Sequence, residues 1–484
     1  ARPWELTARE SLGYHDAMGS NLFLHVRRGE VLRTVPRDNE AVNECWLSDR
    51  DRYSHQGLYS EDRAVSPLRK VNGEWKQVSW AEGLAAAVEI LKAHPGDDLG
   101  VLVHPSTSNE EGALLARLAS GLGTGNLDHR INNRDFSDAA TAEAFGLPLA
   151  EIEAADHIVV LGSNLRHELP LLHARLRKAQ TSNGAKIHVV NPVDFDFAFS
   201  IAGKQIVAPS MFADALGNAE LRTAVQGGRN TVLIVGGIAE NHPQAATIRA
   251  AARDFAAATG ATLCRIPQGA NALGLTRAGV LPAGKDVASM LAQPRQAYVV
   301  YGLEPGLDFA DAPAARKALA GAKVVAFSQF ACASTRDVAD VILPIGALPE
   351  IDATLTNLDG REQSARAGGK LPGEAREGWR VLRALGGELA LDGFGFTDLA
   401  GLRASLSPVS VAVAASAQPA STGEGLEVAA TAAIYRTDAV VRRAPALQAH
   451  PLNTAPRIVL NTEDAARLQL QEGQMAKVGT DAGK

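Results

Sequence analysis

Cys45, Cys264 and Cys332 are the only thiols in this 484-residue chain, and thiolates are the side chains that serve both as nucleophiles and as soft-metal ligands. They lie too far apart to set a disulfide framework or a zinc site, a usage that suits a reducing cytosol. Cys45 alone cannot hold an iron–sulfur cubane and reads as a small buried hydrophobe. His15 beside Asp16 reads as a polar surface pair in a turn. His167, Glu168 and His173 bring two imidazoles near a carboxylate, but the spacing is wrong for a zinc-protease helix and Pro170 interrupts it. Arg130 and Arg134 carry the charge to hold an anion; among Asp128, Asp135 and Asp138 they read as a loop network of ion pairs. Gly121-Leu122-Gly123-Thr124-Gly125 lacks the last spacing of a dinucleotide fingerprint and follows no strand, so it reads as the end of a helix. No phosphate loop ending in Gly-Lys-Ser/Thr and no Gly-x-Ser-x-Gly elbow occurs.

The elements that must position these groups alternate. Apolar residues at helical spacing predict a helix over 80–94 with Ser79 as N-cap, and further helices over 109–122, 170–180 and 243–259. Short β-rich runs at 99–103, 158–161, 187–190, 231–235, 263–266 and 297–301 separate them, which means βαβ units and parallel sheet. Gly162-Ser163-Asn164 and Pro192-Val193-Asp194 follow strand ends, where open α/β sheets bind ligands. Near the start, 22–26 and 31–35 flank Arg28-Gly29-Glu30 as a hairpin, so a small β subdomain is expected there. Residues 404–427, rich in Ser, Ala, Pro and Gly, read as a linker or surface crossing. The last segment reads as a strand at 457–460, a helix capped by Asn461 and a strand at 474–480.

Composition excludes some classes. With 48 Lys and Arg against 54 Asp and Glu the net charge is −6, which argues against a nucleic-acid partner. Hydrophobic content of 46% is ordinary for a globular protein, and no run of about 18 apolar residues offers a membrane span. The chain starts at Ala1 with no signal peptide and stops in a turn; it reads as a fragment cut at both ends.

The most informative stretch is 323–379. It opens as a buried strand at 324–327, passes through the polar, helix-capable Ser334-Thr335-Arg336-Asp337, and enters a second apolar run, Val341-Ile342-Leu343, before Pro344. Beyond Glu350 it turns at Asn357-Leu358-Asp359-Gly360-Arg361. A helix over 379–389 is expected to open at Pro372-Gly373-Glu374-Ala375-Arg376, with acids in its first turn. The pattern of Val-Ile-Leu-Pro, an acid, Asn-x-Asp-Gly-Arg-Glu-Gln and Pro-Gly-Glu-Ala-Arg-x-x-Trp resembles the molybdopterin-oxidoreductase superfamily. Within it the chain resembles the large iron–sulfur subunits of bacterial NADH-quinone oxidoreductase, respiratory complex I.

That resemblance implies an α/β fold of the formate dehydrogenase/DMSO reductase type. Its expected parts are a small β subdomain (1–60), an α/β domain in two pieces (61–150 and 291–400) with a second α/β domain inserted (151–290), a crossing (401–440) and the start of a β-barrel (441–484). Superfamily members hold a [4Fe–4S] cluster near this end with four cysteines, separated by two, three and roughly 27 residues. Matching Gly19-Ser20-Asn21-Leu22 and Asn43-Glu44-Cys45-Trp46 places that frame on Gly13, Asp16, Ser20 and Ser48, with 27 residues between the last two; none supplies a thiolate. The catalytic metal of molybdenum enzymes is often held by Cys, selenocysteine or Ser in the block that is Asp128–Asp138 here, where only Ser137 qualifies. The resemblance therefore implies a scaffold part of the large iron–sulfur subunit, with no redox centre of its own and no catalytic, cofactor-binding or metal-binding residues in this stretch. Its 2Fe-2S and 4Fe-4S clusters are expected in a cysteine-rich N-terminal half. Implied partners are other peripheral-arm subunits, on the cytoplasmic side of the inner membrane. The alternatives are a molybdopterin-dependent, formate-dehydrogenase-like oxidoreductase and an α/β binding module for a small molecule.

Overall fold

The computed structural model describes residues 2–407, 426–431, 433–453 and 457–476. The chain opens with a three-stranded antiparallel sheet, β1 (Thr7–Leu12), β2 (Asn21–Arg27) and β3 (Glu30–Pro36). Arg28 and Gly29 turn between β2 and β3 at φ 54° and 84°, the left-handed geometry that a tight hairpin needs. A second hairpin, β4 (Leu68–Val71) and β5 (Glu74–Gln77), leads to β6 (Leu99–Val103) and β7 (Leu127–Asp128). Next come β8 (His157–Leu161), β9 (Lys186–Asn191), β10 (Ile201–Ile206), β11 (Thr231–Val235) and β12 (Thr262–Arg265). The chain then forms β13 (Ala297–Tyr301), β14 (Lys323–Ser328), β15 (Val341–Pro344) and the hairpin β16 (Ala353–Thr356)–β17 (Glu362–Ala365).

Two larger sheets result. One has seven strands in the order β5-β4-β15-β14-β13-β6-β7, parallel from β15 to β7 with β4 and β5 as an antiparallel edge. The other has five parallel strands in the order β10-β9-β8-β11-β12, all lying in sequence between β7 and β13. Leu-Gly-Val-Leu-Val of β6 is buried at every residue, because helices cover both faces of a parallel sheet. Alternate residues serve alternate faces. Val101, Val299, Val325 and Leu343 pack against Trp80, Leu91, Leu114, Leu118, Trp379 and Leu382, while Leu102, Val300, Ala326 and Ile342 meet Met290, Ala315 and Leu319 on the other side. Helix Trp80–Ala93 starts where the sequence suggests, with Ser79 accepting the Glu82 N–H and Glu82 reaching back to the Ser79 N–H.

Several expectations change. The helix near Trp379 spans Gly378–Glu388, follows directly on Glu377, whose side chain makes no cap, and has no acid in its first turn. Pro372 stands outside it, because Gly373 takes φ 52° and turns the chain first. β10 has a weak strand signature (Ile-Ala-Gly-Lys-Gln-Ile); its pairing with β9 decides its conformation. Residues 457–460 form no strand, and 474–476 have no regular structure: among the described residues they have no partner strand to complete a ladder. Helix Thr462–Arg467 does form on its Asn461 cap. Most of the 404–427 crossing and residues 477–484 lie outside the described residues.

The N-terminal lobe is pinned over the strand ends by a buried bidentate pair. Arg63 Nη1 and Nη2 donate to Glu350 Oε1 and Oε2 at 2.8 and 2.7 Å, with side chains 4% and 3% exposed. Arg63→Ala strands the Glu350 charge in a dry site and is expected to destabilise the chain by about 3–5 kcal/mol in urea unfolding. Arg69→Ala, which breaks an exposed pair with Glu89, is expected to cost less than about 1 kcal/mol.

Candidate functional site

The four positions of the cluster frame converge on two residues, Arg50 and Asp51. Gly13 and Ser20 are joined by the Gly13 N–H donating to the Ser20 carbonyl at 2.7 Å. Ser48 caps helix Asp49–Tyr53: its hydroxyl accepts the Asp51 N–H and donates to Asp51 Oδ2 at 3.0 Å. Asp16 Oδ2 accepts from Arg50 Nη2 at 2.6 Å, and the same nitrogen donates to the Glu168 carbonyl at 2.9 Å. A Cβ on Gly13 would lie 2.4 Å from Asp51 Oδ1, so the Asp51 carboxylate stands where a cysteine at position 13 would begin. The donor set here is hard oxygen and glycine, and a cubane needs four thiolates; these residues do not fit it.

His15 and Asp16 are no surface pair. His15 is buried, with Nδ1 2.7 Å from Asp438 Oδ2 and Nε2 2.7 Å from Ser54 Oγ. A carboxylate on Nδ1 and a hydroxyl on Nε2 reproduce the layout of a nucleophilic triad, but Ser54 is 4% exposed, so no substrate reaches it and the relay ties two segments together. Burial, the largest single influence, depresses the His15 pKa, but the Asp438 charge, its hydrogen bond and the Asp51 charge together outweigh it and leave a net rise. Asp438 is held well below the usual carboxylate range by His15 and by the N–H of Val441, against burial. Burial first, then the Asp16 carboxylate, push the Asp51 carboxyl up to about 6, while His15 and Arg50 pull it the other way. Beside the relay, Arg442 Nη2 donates to Glu304 Oε2 and Asp308 Oδ1 at 2.6 and 2.7 Å, and Arg443 Nη2 to Asp62 Oδ2 and Glu304 Oε1 at 2.6 Å each. Arg50, Asp51 and Asp438 carry this site, yet only Asp49-Arg50-Asp51-Arg52, a charged run directly after Ser48, signals it in the sequence. Asp438 arrives from 423 residues away in the chain.

Cys45 is exposed, not buried. Asn43 holds its loop from inside, donating to the carbonyls of Asn21, Arg37 and Trp46, and that turns Cys45 outward. In the Asp128–Asp138 block only one of the expected pairs forms locally, Arg130 Nε with Asp128 Oδ1 at 2.9 Å. Arg134 donates to the Ala310 carbonyl, and Asp138 belongs to Arg249 from the neighbouring sheet's helix. Ser137 is exposed and donates to Asp135.

The strand order of the seven-stranded sheet reverses between the parallel neighbours β6 and β13, and a cavity of about 60 Å³ lies by those strands, lined by Ser108, Glu111, Tyr301, Tyr14 and Asp438. Burial pushes the Glu111 carboxyl up to about 7. Small-molecule sites occupy roughly 300–1,000 Å³, so this cavity has room for water but not for a pterin. At the other sheet's strand ends, the Ser163 hydroxyl donates to Glu168 Oε2 at 2.5 Å and the Gly237 N–H to Oε1 at 2.8 Å. His173, held neutral because burial and neighbouring arginines lower its pKa to about 4, accepts the Ala198 N–H. His167 and His173 do not converge with Glu168 on a metal. Among the described residues no group of three or more His, Cys, Asp and Glu could hold one.

A doubly covered parallel sheet with a second one inserted, beside a small β lobe, is the α/β arrangement that the resemblance to molybdopterin oxidoreductases implies. The chain belongs to the molybdopterin oxidoreductase family, whose model matches residues 63–388. A second model, the NADH-ubiquinone oxidoreductase NDSU1/NuoG-like 4Fe-4S domain, matches residues 6–56. An iron–sulfur domain thus matches within this chain, over the lobe that carries the cluster frame, so the expectation that iron–sulfur has no place in this stretch is only partly right. Curated relatives are subunits of one complex. The mitochondrial NADH-ubiquinone oxidoreductase 78 kDa subunit of Neurospora crassa is 29% identical over 427 residues, 85% of this chain and 55% of that one. The 75 kDa subunit of Reclinomonas americana is 25% identical over 409 residues, 80% of this chain and 58% of the relative. The chain therefore spans a little over half the length of the curated relatives it matches. Among solved structures, acetylene hydratase from Pelobacter acetylenicus superposes with a TM-score of 0.58 at 15% identity, covering 80% of this chain and 70% of that one, a likeness of fold alone.

The buried acid and imidazole make the stability of the lobe depend on pH. Asp51, whose folded pKa lies above the unfolded value of about 3.9, opposes folding increasingly as pH rises between the two. Asp51→Asn is expected to raise stability at pH 8 by about 1–2 kcal/mol and to change little at pH 4, read by urea unfolding. His15, with a raised pKa, contributes stability fully below about 6.5 and loses it as pH rises through the folded value. His15→Gln is expected to cost more at pH 5.5 than at pH 9.

Proposed function

We propose that this chain is the molybdopterin-oxidoreductase-like portion of the large iron–sulfur subunit of a bacterial NADH-quinone oxidoreductase, complex I. In this reading the parent subunit takes part in electron transfer from NADH to quinone coupled to proton translocation. The present portion is a scaffold that contributes no redox centre, and the clusters of the wire, 2Fe-2S and 4Fe-4S, sit elsewhere in the subunit. It docks against other peripheral-arm subunits on the cytoplasmic side of the inner membrane. No helix among the described residues is long and apolar enough to cross a membrane, which suits a peripheral position.

One observation carries the scaffold reading: the cluster frame is built from Gly13, Asp16, Ser20 and Ser48 and closed around Arg50 and Asp51. The relatives matched over 85% and 80% of this chain support the choice of parent complex. The exposed Trp4 and Trp46 of the N-terminal lobe, at 76% and 60%, are the kind of aromatic surface that protein interfaces use.

Anaerobic reconstitution with ferrous iron and sulfide, followed by iron and sulfide analysis and low-temperature EPR, tests the absence of a centre. The expected result is substoichiometric iron and no cubane signal. One cluster per chain, or a pterin released by acid and detected by fluorescence, would overturn the scaffold reading.

A further inference from the structure

The five-stranded sheet has its own reversal of strand order. From β8 the chain moves to β9 on one side, from β11 to β12 on the other, and β8 and β11 are neighbours. Ligands of open parallel sheets bind in the crevice outside the strand ends at such a point, where tight loops present backbone N–H and hydroxyl donors to anions. The loops are Gly162-Ser163-Asn164 and Gly236-Gly237. Both glycines of the second loop are pressed against one carboxylate: a Cβ on Gly236 would lie 2.8 Å from Glu168 Oε2, and one on Gly237 2.9 Å from Glu168 Oε1.

Donors converge on that carboxylate without a cation among them. The Ser163 hydroxyl reaches Oε2 at 2.5 Å, and Oε1 accepts from the Gly237 N–H at 2.8 Å and from Gln268 Nε2 at 3.4 Å. Asn191, 0% exposed, holds the Ser163 N–H through Oδ1 at 2.8 Å. Its Nδ2 is buried beside the same loop with no protein partner, a donor left over after the built-in acceptor is served. The next acid, Glu240, is committed to Arg249 and Arg265. Burial outweighs Ser163, Gln268 and Gly237, which each favour the charged form, and leaves the Glu168 pKa raised; it is the converging donors and the spare Asn191 Nδ2 that suit the loops to a carboxylate or phosphate oxygen.

We propose that this crevice is an oxyanion cradle, of phosphate or carboxylate class, which the chain fills with its own Glu168. The side chain is a tethered ligand, at an effective concentration on the order of millimolar or more. It seals the crevice against nucleotide phosphates. The proposal stands on the fold and on Glu168, independently of any role in complex I.

Thermal unfolding of the full chain and of Glu168→Gly and Glu168→Gln, in inorganic phosphate or formate against chloride at equal ionic strength, tests it. Wild type is expected to gain only the general, non-saturating stabilisation that a kosmotropic salt such as phosphate gives a folded protein. Glu168→Gly is expected to melt several degrees lower and to recover saturably with phosphate or formate, since binding the native state alone raises apparent stability. Glu168→Gln, which fills the same volume, is expected to show no anion-specific recovery. If Glu168→Gly gains nothing beyond that general effect from either anion, or stays unfolded in both, the cradle does not take oxyanions and the proposal fails. It fails equally if wild type or Glu168→Gln responds as Glu168→Gly does, because the anion then binds elsewhere.

Discussion

A charge taken out of water has to be met by its opposite inside the same dry space, and the joints of this molecule are built on that constraint. Arg50 meets Asp16, Arg63 meets Glu350, Arg249 and Arg265 meet Asp138 and Glu240, and Arg442 and Arg443 meet Glu304, Asp308 and Asp62. The pairs of Arg63, Arg442 and Arg443, and that of Arg249 with Asp138, join segments more than 100 residues apart in the chain. The sheets could fold around hydrophobic faces alone; how the lobe, the two sheets and the 434–450 segment sit together is set by guanidinium groups with fixed partners. Arginine suits the task because its planar fork satisfies two carboxylate oxygens at once.

The same constraint is met around Gly13, Asp16 and Ser48. Here the volume beside Gly13 holds the Asp51 carboxylate, Ser48 caps the helix that delivers it, and Arg50 turns toward Asp16 and the Glu168 carbonyl. Through Arg50 this region also touches the segment that carries Glu168, by the hydrogen bond to its carbonyl.

Much of the fold is legible in the sequence because its signals are local. Leu99–Val103, Thr231–Val235 and Ala297–Tyr301 announce themselves as continuous apolar runs, and Ser79 with Glu82 marks a helix start within four residues. The strand at Ile201–Ile206 is not legible, since its conformation comes from pairing with β9 rather than from its own residues. The site is less legible than the fold. Spacing places a frame on Gly13, Asp16, Ser20 and Ser48, but the burial of His15 depends on Asp438, and the partner of Asp138 is Arg249, far along the chain. Likewise nothing local to Cys45 says that Asn43 will hold its loop and leave the thiol outside. Contacts between distant segments leave no periodicity behind them.

The insertion of one sheet within another sets a timetable for synthesis. β6 must find β13, with Leu99 opposite Ala297 and Val103 opposite Tyr301, and everything from β8 to β12 leaves the ribosome in between. At about 5–20 residues per second, β6 and β7 wait for roughly 10–40 seconds, their apolar edge unpaired. The inserted sheet, complete once β12 emerges, has time to fold first. The nascent chain is thus born with its outer domain open, and a chaperone that covers the Leu99–Val103 edge during that interval would matter more to its yield than one acting after release.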